Sequence, residues 1–338
     1  MSSLASHLKG GKQLLGKLPL ITQLSARVWR FLGSNPGSYS LQGTNTYLVG
    51  TGSSRILIDT GEGKRDYLTT LKEGMRQAGC TSISQIVVSH WHHDHLGGVS
   101  SVLEDHGSNI PVLKYMPEEL EASFGGEGTI TPYEMWPKDK FTPVVDGEIL
   151  TTAGATLKVL FTPGHANDHI CLVLEEENSM FTADNVLGTG TSVFRNLHSY
   201  MNSLQRMKSF NPEKLYPGHG PVVEEGTSKI IEYISHRRQR IRGAVAVLET
   251  PPKDGETYWS LESLTRQIYQ GLPENLVFPA MGNMYLVLEA LSKDGIVHRV
   301  PHTSNDGSHK KVDPDSRWHL AVSSGQAFSI AENSASKL

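Results

Sequence analysis

Cysteine is scarce in this sequence. Cys80 and Cys171 are the only two among 338 residues, and neither belongs to a CxxC pair, which excludes a disulfide framework and argues against thiolate zinc or redox sites. A reducing compartment follows. A dominant charge is also missing: 31 Lys and Arg stand against 35 Asp and Glu, a formal net charge of −4, so nucleic acid is not bound through overall basicity, although a local basic patch remains open. Long apolar runs are absent. None approaches the ~20 residues of a membrane span, and the most apolar early segment, Leu14 to Leu24, is broken by Gly16, Lys17 and Pro19, so a soluble protein without a membrane partner is expected. Acids are lacking before Asp59. Residues 1–26, with Lys9, Lys12 and Lys17, share that trait with mitochondrial presequences, yet it continues far into what must be folded protein. They are read as a flexible N-terminal segment of a cytoplasmic protein, the mitochondrial matrix being the alternative.

At ~150 residues per domain the length suggests two domains. From Arg27 onward short apolar runs alternate with turns: Val28 to Leu32, Asn45 to Val49 and Ile56 to Ile58 read as strands, separated by Asn35-Pro36-Gly37 and Gly50-Thr51-Gly52. A helix over Lys64 to Ala78 and a buried strand over Ile83 to Val88 follow. The alternation recurs with strands at Thr156 to Phe161 and Ile170 to Leu174, another beginning at Met180, and a helix over Leu197 to Met207. Residues 107–147 hold five of the seventeen prolines and are expected to form a long irregular insertion, with Phe124, Tyr133 and Trp136 as an apolar wall, a base-stacking surface or local core. Beyond Gly220-Pro221 three helices, Thr227 to Leu248, Leu261 to Tyr269 and Val277 to Lys293, precede a two-stranded ribbon of Ile296 to Val300 and Trp318 to Val322, with a polar tip at 303–316. That order suggests a winged-helix unit. The organisation expected is thus a flexible segment 1–26, a catalytic domain 27–226, a winged-helix-like domain 227–322 and a flexible tail 323–338.

What the sequence has in quantity is histidine. Of 15 in all, His90, His92, His93, His95 and His106 fall within seventeen positions. The run Ser89-His90-Trp91-His92-His93-Asp94-His95 follows the apolar Ile86 to Val88, where a curling backbone can converge several nitrogen and carboxylate donors on one point. Such donors suit Zn²⁺, at ~2.0–2.1 Å for imidazole and ~2.0–2.2 Å for carboxylate. Further on, His165 in Phe161-Thr162-Pro163-Gly164-His165, Asp184 in Met180-Phe181-Thr182-Ala183-Asp184 and His219 in Tyr216-Pro217-Gly218-His219 each lie just past an apolar run. Strand-to-loop junctions of this kind let backbone approach a metal closely.

These residues, in this order, resemble the metallo-β-lactamase superfamily. The resemblance implies an α/β fold, the αββα sandwich, here with a C-terminal winged-helix domain. It implies two Zn²⁺ per chain, one held by His90, His92 and His165, the other by Asp94, His95 and His219, with Asp184 bridging and Asp59 supporting the site from behind a ligand. The family usually has glycine where Ala183 stands, and a methyl is expected to be tolerated there if φ is negative. Leu41-Gln42-Gly43-Thr44-Asn45-Thr46-Tyr47, Arg55-Ile56-Leu57-Ile58-Asp59-Thr60-Gly61 and Asp184-Asn185-Val186-Leu187-Gly188 narrow the resemblance to the β-lactamase-like protein 2 branch, which includes animal endoribonucleases and fungal lactamase-like thioesterases of polyketide biosynthesis.

The chemistry so implied is attack by metal-bound hydroxide, with Asp94 as the catalytic proton acceptor. No GxSxG occurs and neither cysteine adjoins a motif histidine, which argues against a Ser or Cys acyl-enzyme. A thioester of an acyl carrier protein or coenzyme A is the first choice of substrate, since a thiolate leaves readily. Single-stranded RNA is the alternative partner. Its cleavage calls for a general acid, for which His93 and His169 are candidates, and for a basic track, which Arg237, Arg238, Arg240 and Arg242 can supply or can instead spend on an ordinary solvated helix face. The third C-terminal helix, with Leu286, Leu288 and Leu291, reads as a packing or homodimerisation element rather than a groove reader.

Overall fold

The computed structural model describes residues 16–118, 138–252, 255–300, 312–322 and 326. The described residues form two compact units, one of those within 16–192 and 206–231, the other of those within 193–205 and 232–326.

Two sheets face each other in the first unit. The larger holds seven strands in sequence order: β1 (Ile21–Gln23), β2 (Val28–Leu32), β3 (Asn45–Val49), β4 (Ser54–Ile58), β5 (Ser82–Val88), β6 (Val112–Tyr115) and β7 (Thr142–Val144). Pairing is antiparallel from β1 to β4 and parallel from β4 to β7. The parallel step from β4 to β5 requires a crossover, made by helix α1 (Arg65–Gln77). The second sheet has the order β12-β11-β10-β9-β8, with β8 (Ile149–Thr152), β9 (Ala155–Phe161), β10 (Ile170–Leu174), β11 (Ser179–Ala183) and β12 (Lys214–Pro217).

Strand alternation divides the apolar residues between two cores. Tyr47, Val49, Ile56, Ile58 and Val87 point between the sheets, where they meet Leu157, Val159, Leu172 and Phe181. Their sequence neighbours Leu48, Leu57, Ile86 and Val88 point the other way. There they pack with Tyr67, Leu71 and Met75 of α1 and with Val99, Val102 and Leu103 of helix α3 (Val99–His106), which follows the four-residue α2 (His93–Leu96). Burial on both faces explains why β10, Ile-Cys-Leu-Val-Leu, reads as an unbroken apolar run.

The region 107–147 departs from its expected irregularity. Its two ends are strands β6 and β7 of the larger sheet, and a 3₁₀ turn, Lys138–Lys140, leads into β7. Phe124, Tyr133 and Trp136 lie outside the described residues.

Helix α4 spans Leu197–Ser209 and helix α5 spans Gly226–Leu248. The second unit adds α6 (Leu261–Ile268), α7 (Glu274–Lys293) and strands β13 (Trp259–Ser260), β14 (Val297–Val300) and β15 (Arg317–Leu320). The expected two-stranded ribbon gains a third strand, because Trp259 of β13 pairs opposite Trp318 of β15. Residues 303–311 of the expected polar tip lie outside the described residues. Leu264, Met284, Leu288, Leu291, Val297 and Trp318 are each buried, which places Leu288 and Leu291 inside the protein rather than on its surface. Among the described residues no helix is long and apolar enough to cross a membrane.

Candidate metal centre

Five loops at strand ends deliver the site. Asp59 follows β4, the His90 to His95 segment follows β5, His165 follows β9, Asp184 follows β11 and His219 follows β12. The structure brings these sequence-distant side chains into two adjoining groups. Donor atoms of His90, His92, His165 and Asp184 lie within 4.8 Å of one another, as do those of Asp94, His95 and His219.

In the first group Nδ1 of His92 is 2.9 Å from Nε2 of His90 and 3.0 Å from Nε2 of His165. Two nitrogens bound tetrahedrally to one ion at ~2.0–2.1 Å stand ~3.3 Å apart, so this cluster has coordination dimensions. In the second, Oδ2 of Asp94 is 3.2 Å from Nε2 of His219 and 3.4 Å from Nε2 of His95. The Asp184 carboxylate stands between the groups. Its Oδ2 is 3.5 Å from Nε2 of His165, while its Oδ1 is 3.4 Å from Nε2 of His95 and 3.3 Å from Nε2 of His219.

The donor set fits a pair of metal ions. Nε2 of His95 and Oδ1 of Asp184 are buried without a hydrogen-bond partner, a cost no fold retains for nothing, and a cation between them removes it. Protonation points the same way. Burial, reinforced by neighbouring histidines, holds His90 and His92 well below the ordinary histidine pKa, so their lone pairs are available. In the second group burial opposes ionisation but loses to opposite charge: Asp94, Asp184 and Asp59 lift His95, and Asp184 with Asp94 lifts His219 to about 9. Asp94 and Asp184 are in turn held below the usual carboxylate range by His95 and His219 against the burial that would raise them. A metal bound there would take the place of the imidazolium protons that these carboxylates face.

Several of these side chains are aimed from behind. Asp59 Oδ2 accepts from Nδ1 of His95 at 2.7 Å, and the same carboxylate accepts from the Ser89 amide and hydroxyl, each at 2.8 Å. Ser89 Oγ in turn lies 3.0 Å from Nδ1 of His90. Thr44 donates its hydroxyl to Oδ2 of Asp94 at 3.0 Å. Ser192 Oγ bonds the Asp184 carbonyl and sits 3.4 Å from Nδ1 of His165. The roles of Thr44, Ser89 and Ser192 were not visible from spacing. Only the position of Ser89 directly before His90 hinted at one.

Three further residues singled out from the sequence have distinct surroundings. His169 is fully buried, with Nδ1 3.0 Å from Thr162 Oγ1 and Nε2 accepting the Asp184 amide at 3.3 Å. It therefore positions Asp184 and has no free nitrogen to offer a substrate. His93 is exposed, its ring lying over Gly97. Ala183 corrects the expectation of a negative φ: its φ is 40°, at a bulge in the β11–β12 pairing, so the left-handed backbone that favours glycine is occupied by alanine.

Two facing sheets with a paired His/Asp centre at their common edge define the class, and comparison supports it: residues 40–219 match the metallo-beta-lactamase superfamily. The chain belongs to that superfamily, and residues 260–305 match the beta-lactamase associated winged helix domain. It is similar to the "Beta-lactamase-like protein 2 homolog" of Caenorhabditis elegans, 41% identical over 83% of this chain and 89% of the relative. It is also similar to the "Lactamase-like protein nscB" of Aspergillus fumigatus, 39% identical over 86% of each. A beta-lactamase domain protein from Burkholderia ambifaria shares the fold at a TM-score of 0.70 and 17% identity, covering 91% of this chain and 96% of its own. A metallo-beta-lactamase family protein from Thermus thermophilus does so at 0.64 and 21%, over 88% and 100%. The chain is thus a metallo-beta-lactamase-family hydrolase with two groups able to bind metal.

Proposed function

We propose that the protein is a dinuclear zinc hydrolase that cleaves an acyl thioester presented on an acyl carrier protein or coenzyme A. His90, His92 and His165 would hold one zinc and Asp94, His95 and His219 the other, with Asp184 shared. Imidazole and carboxylate donors without thiolate suit zinc. Bound zinc supplies a water of near-neutral pKa and polarises the scissile carbonyl oxygen.

The protein's own residues supply orientation and a proton acceptor. Thr44 fixes the Asp94 carboxylate through Oδ2, and Asp94 takes the proton of the attacking water. The observation that carries the substrate reading is the engagement of His169 by Thr162 and the Asp184 amide. An alkoxide leaving group gains from a positioned acid; the buried histidine nearest that role is already used. A thiolate departs without one. The basic helix adds support, because Arg237 and Arg240 lie over aromatic rings rather than lining a phosphate track. Cys80 and Cys171, both buried and unpaired, suit the cytoplasm.

The test offers the purified chain an acyl-coenzyme A thioester and a labelled single-stranded RNA at matched concentrations, beside an Asp94→Asn control, with zinc content measured in parallel. Thioester turnover lost in the control is expected. RNA cleavage lost in the control, with no thioester turnover, would replace this reading by an endoribonuclease.

A further inference from the structure

We propose that the buried ion pair Lys114–Asp168 is a positioning device that sets the turn carrying His165, and through it the zinc affinity of the His90, His92 and His165 group. The proposal rests on the metal-centre reading above.

Lys114 and Asp168 are both fully buried. The Lys114 ammonium donates to Oδ2 of Asp168 and to the Tyr115 carbonyl at 3.5 Å. Oδ1 of Asp168 has no hydrogen-bond partner, so Lys114 is what compensates this carboxylate. Such a pair is a poor source of stability, since apolar residues of similar volume usually serve as well or better. Its value lies in where it holds the chain.

Lys114 sits on β6 opposite Val88, the last residue of β5, one step before Ser89 and His90. Asp168 belongs to the other sheet, in the turn from β9 to β10 that presents His165. Within that turn the Thr162 amide donates to the His169 carbonyl at 2.9 Å and the Gly164 amide to the Ala166 carbonyl at 3.1 Å, with Gly164 at a φ of 133°. The first metal group draws His90 and His92 from one sheet and His165 from the other, so the spacing between their nitrogens depends on a link between the two edges. Lys114–Asp168 is one such link, beside the backbone bond from the Ile170 amide to the Ser89 carbonyl at 2.9 Å. A shift of the turn would leave a buried ammonium and a buried carboxylate each unpaired, which is why the pair acts as a pin. Asp168 also precedes His169, the acceptor of the Asp184 amide. The Asp94, His95 and His219 group has separate supports in Thr44 and Asp59, so the larger effect falls on the ion of the His165 group.

The experiment titrates Zn²⁺ into the metal-free full chain against a chromophoric chelator, for the natural protein and for Lys114→Met/Asp168→Leu, which carries no buried charge. The double variant is expected to fold with an unchanged circular-dichroism spectrum. It should bind one zinc as the natural protein does and the other ~10–100-fold more weakly, the usual scale for loss of an outer support. Should the apolar pair fail to fold, Lys114→Gln/Asp168→Asn, neutral and still hydrogen-bonding, is expected to show the same selective weakening on a smaller scale. Natural affinity for both ions in a folded variant overturns the proposal alone. No zinc bound by the natural protein overturns the metal-centre reading and this proposal with it.

Discussion

Gly218 faces Asp184 across a gap that admits no side chain: a Cβ on Gly218 would stand 2.5 Å from Oδ1 of Asp184 and 2.9 Å from Cε1 of His95. The Gly218 amide also donates to the Ala183 carbonyl at 2.7 Å, locking the loops after β11 and β12 together at the point where the shared carboxylate is presented. Gly218→Ala is therefore expected to displace Asp184 and lower metal affinity by at least ~100-fold, the upper end of the range for losing an outer support, because here a ligand itself moves. Metal analysis after dialysis at neutral pH checks it. Full metal content in the alanine variant would show that the carboxylate has slack the structure denies.

Ala183 tests how much strain the same corner tolerates. Its φ of 40° costs an L-residue ~1–2 kcal/mol, which glycine would relieve. Against that, Ala183→Gly gives up ~0.8 kcal/mol for a buried methyl and ~0.4–1 kcal/mol of unfolded-state entropy. The terms cancel, so urea unfolding of the glycine variant is expected to lie within ~0.5 kcal/mol of the natural protein. Ala183→Val has no such cancellation: a β-branched residue at positive φ adds strain in a buried position, and a loss of ~2 kcal/mol or more is expected.

The residues that gather into the two candidate metal groups were legible in the sequence because each stands within a few residues of the end of an apolar strand, so strand end and polar side chain are neighbours in the chain. Other features lacked that signature. Strand β6 was hidden by Lys114, whose burial depends on Asp168 in the other sheet. Strand β7, Thr142-Pro143-Val144, looks like loop because of Pro143, which an edge strand tolerates. The backbone of Ala183 follows from a bulge set by two paired strands, and residue type alone gave no sign of it. His169 offered the right chemistry for an acid, but its environment, absent from spacing, makes it a support for Asp184.

Thr44 is expected to act on turnover through Asp94. Asn35 Nδ2 donates to the Thr44 hydroxyl at 3.0 Å while Asn35 Oδ1 accepts the Thr44 amide at 2.9 Å, so the hydroxyl proton is left to point at Asp94. Thr44→Val removes that bond with little change of shape, and kcat on the thioester is expected to fall ~10–100-fold with KM little changed. Thr44→Ser restores the hydroxyl and should recover most of the rate. A valine variant as fast as the natural protein would mean that Asp94 needs no fixing.

Three arginines of helix α5 divide into two kinds, and that division bears on the substrate. Arg237 is buried, its guanidinium carbon 4.8 Å from the Phe194 ring centre and 5.4 Å from that of Tyr200, and Arg240 lies 4.4 Å from the centre of Tyr269. A guanidinium placed so is part of the packing, and Arg237→Met is expected to cost ~1–2 kcal/mol in urea unfolding from lost cation–π attraction and altered packing. Arg242 is exposed, and Arg242→Gln should change stability by less than ~0.5 kcal/mol. If the helix were a phosphate track, the order would reverse in an RNA-binding assay: Arg242→Gln would weaken retention of a single strand and reduce its salt dependence. The expected result is no such change, because a helix that commits Arg237 and Arg240 to aromatic rings cannot present a continuous row of charge.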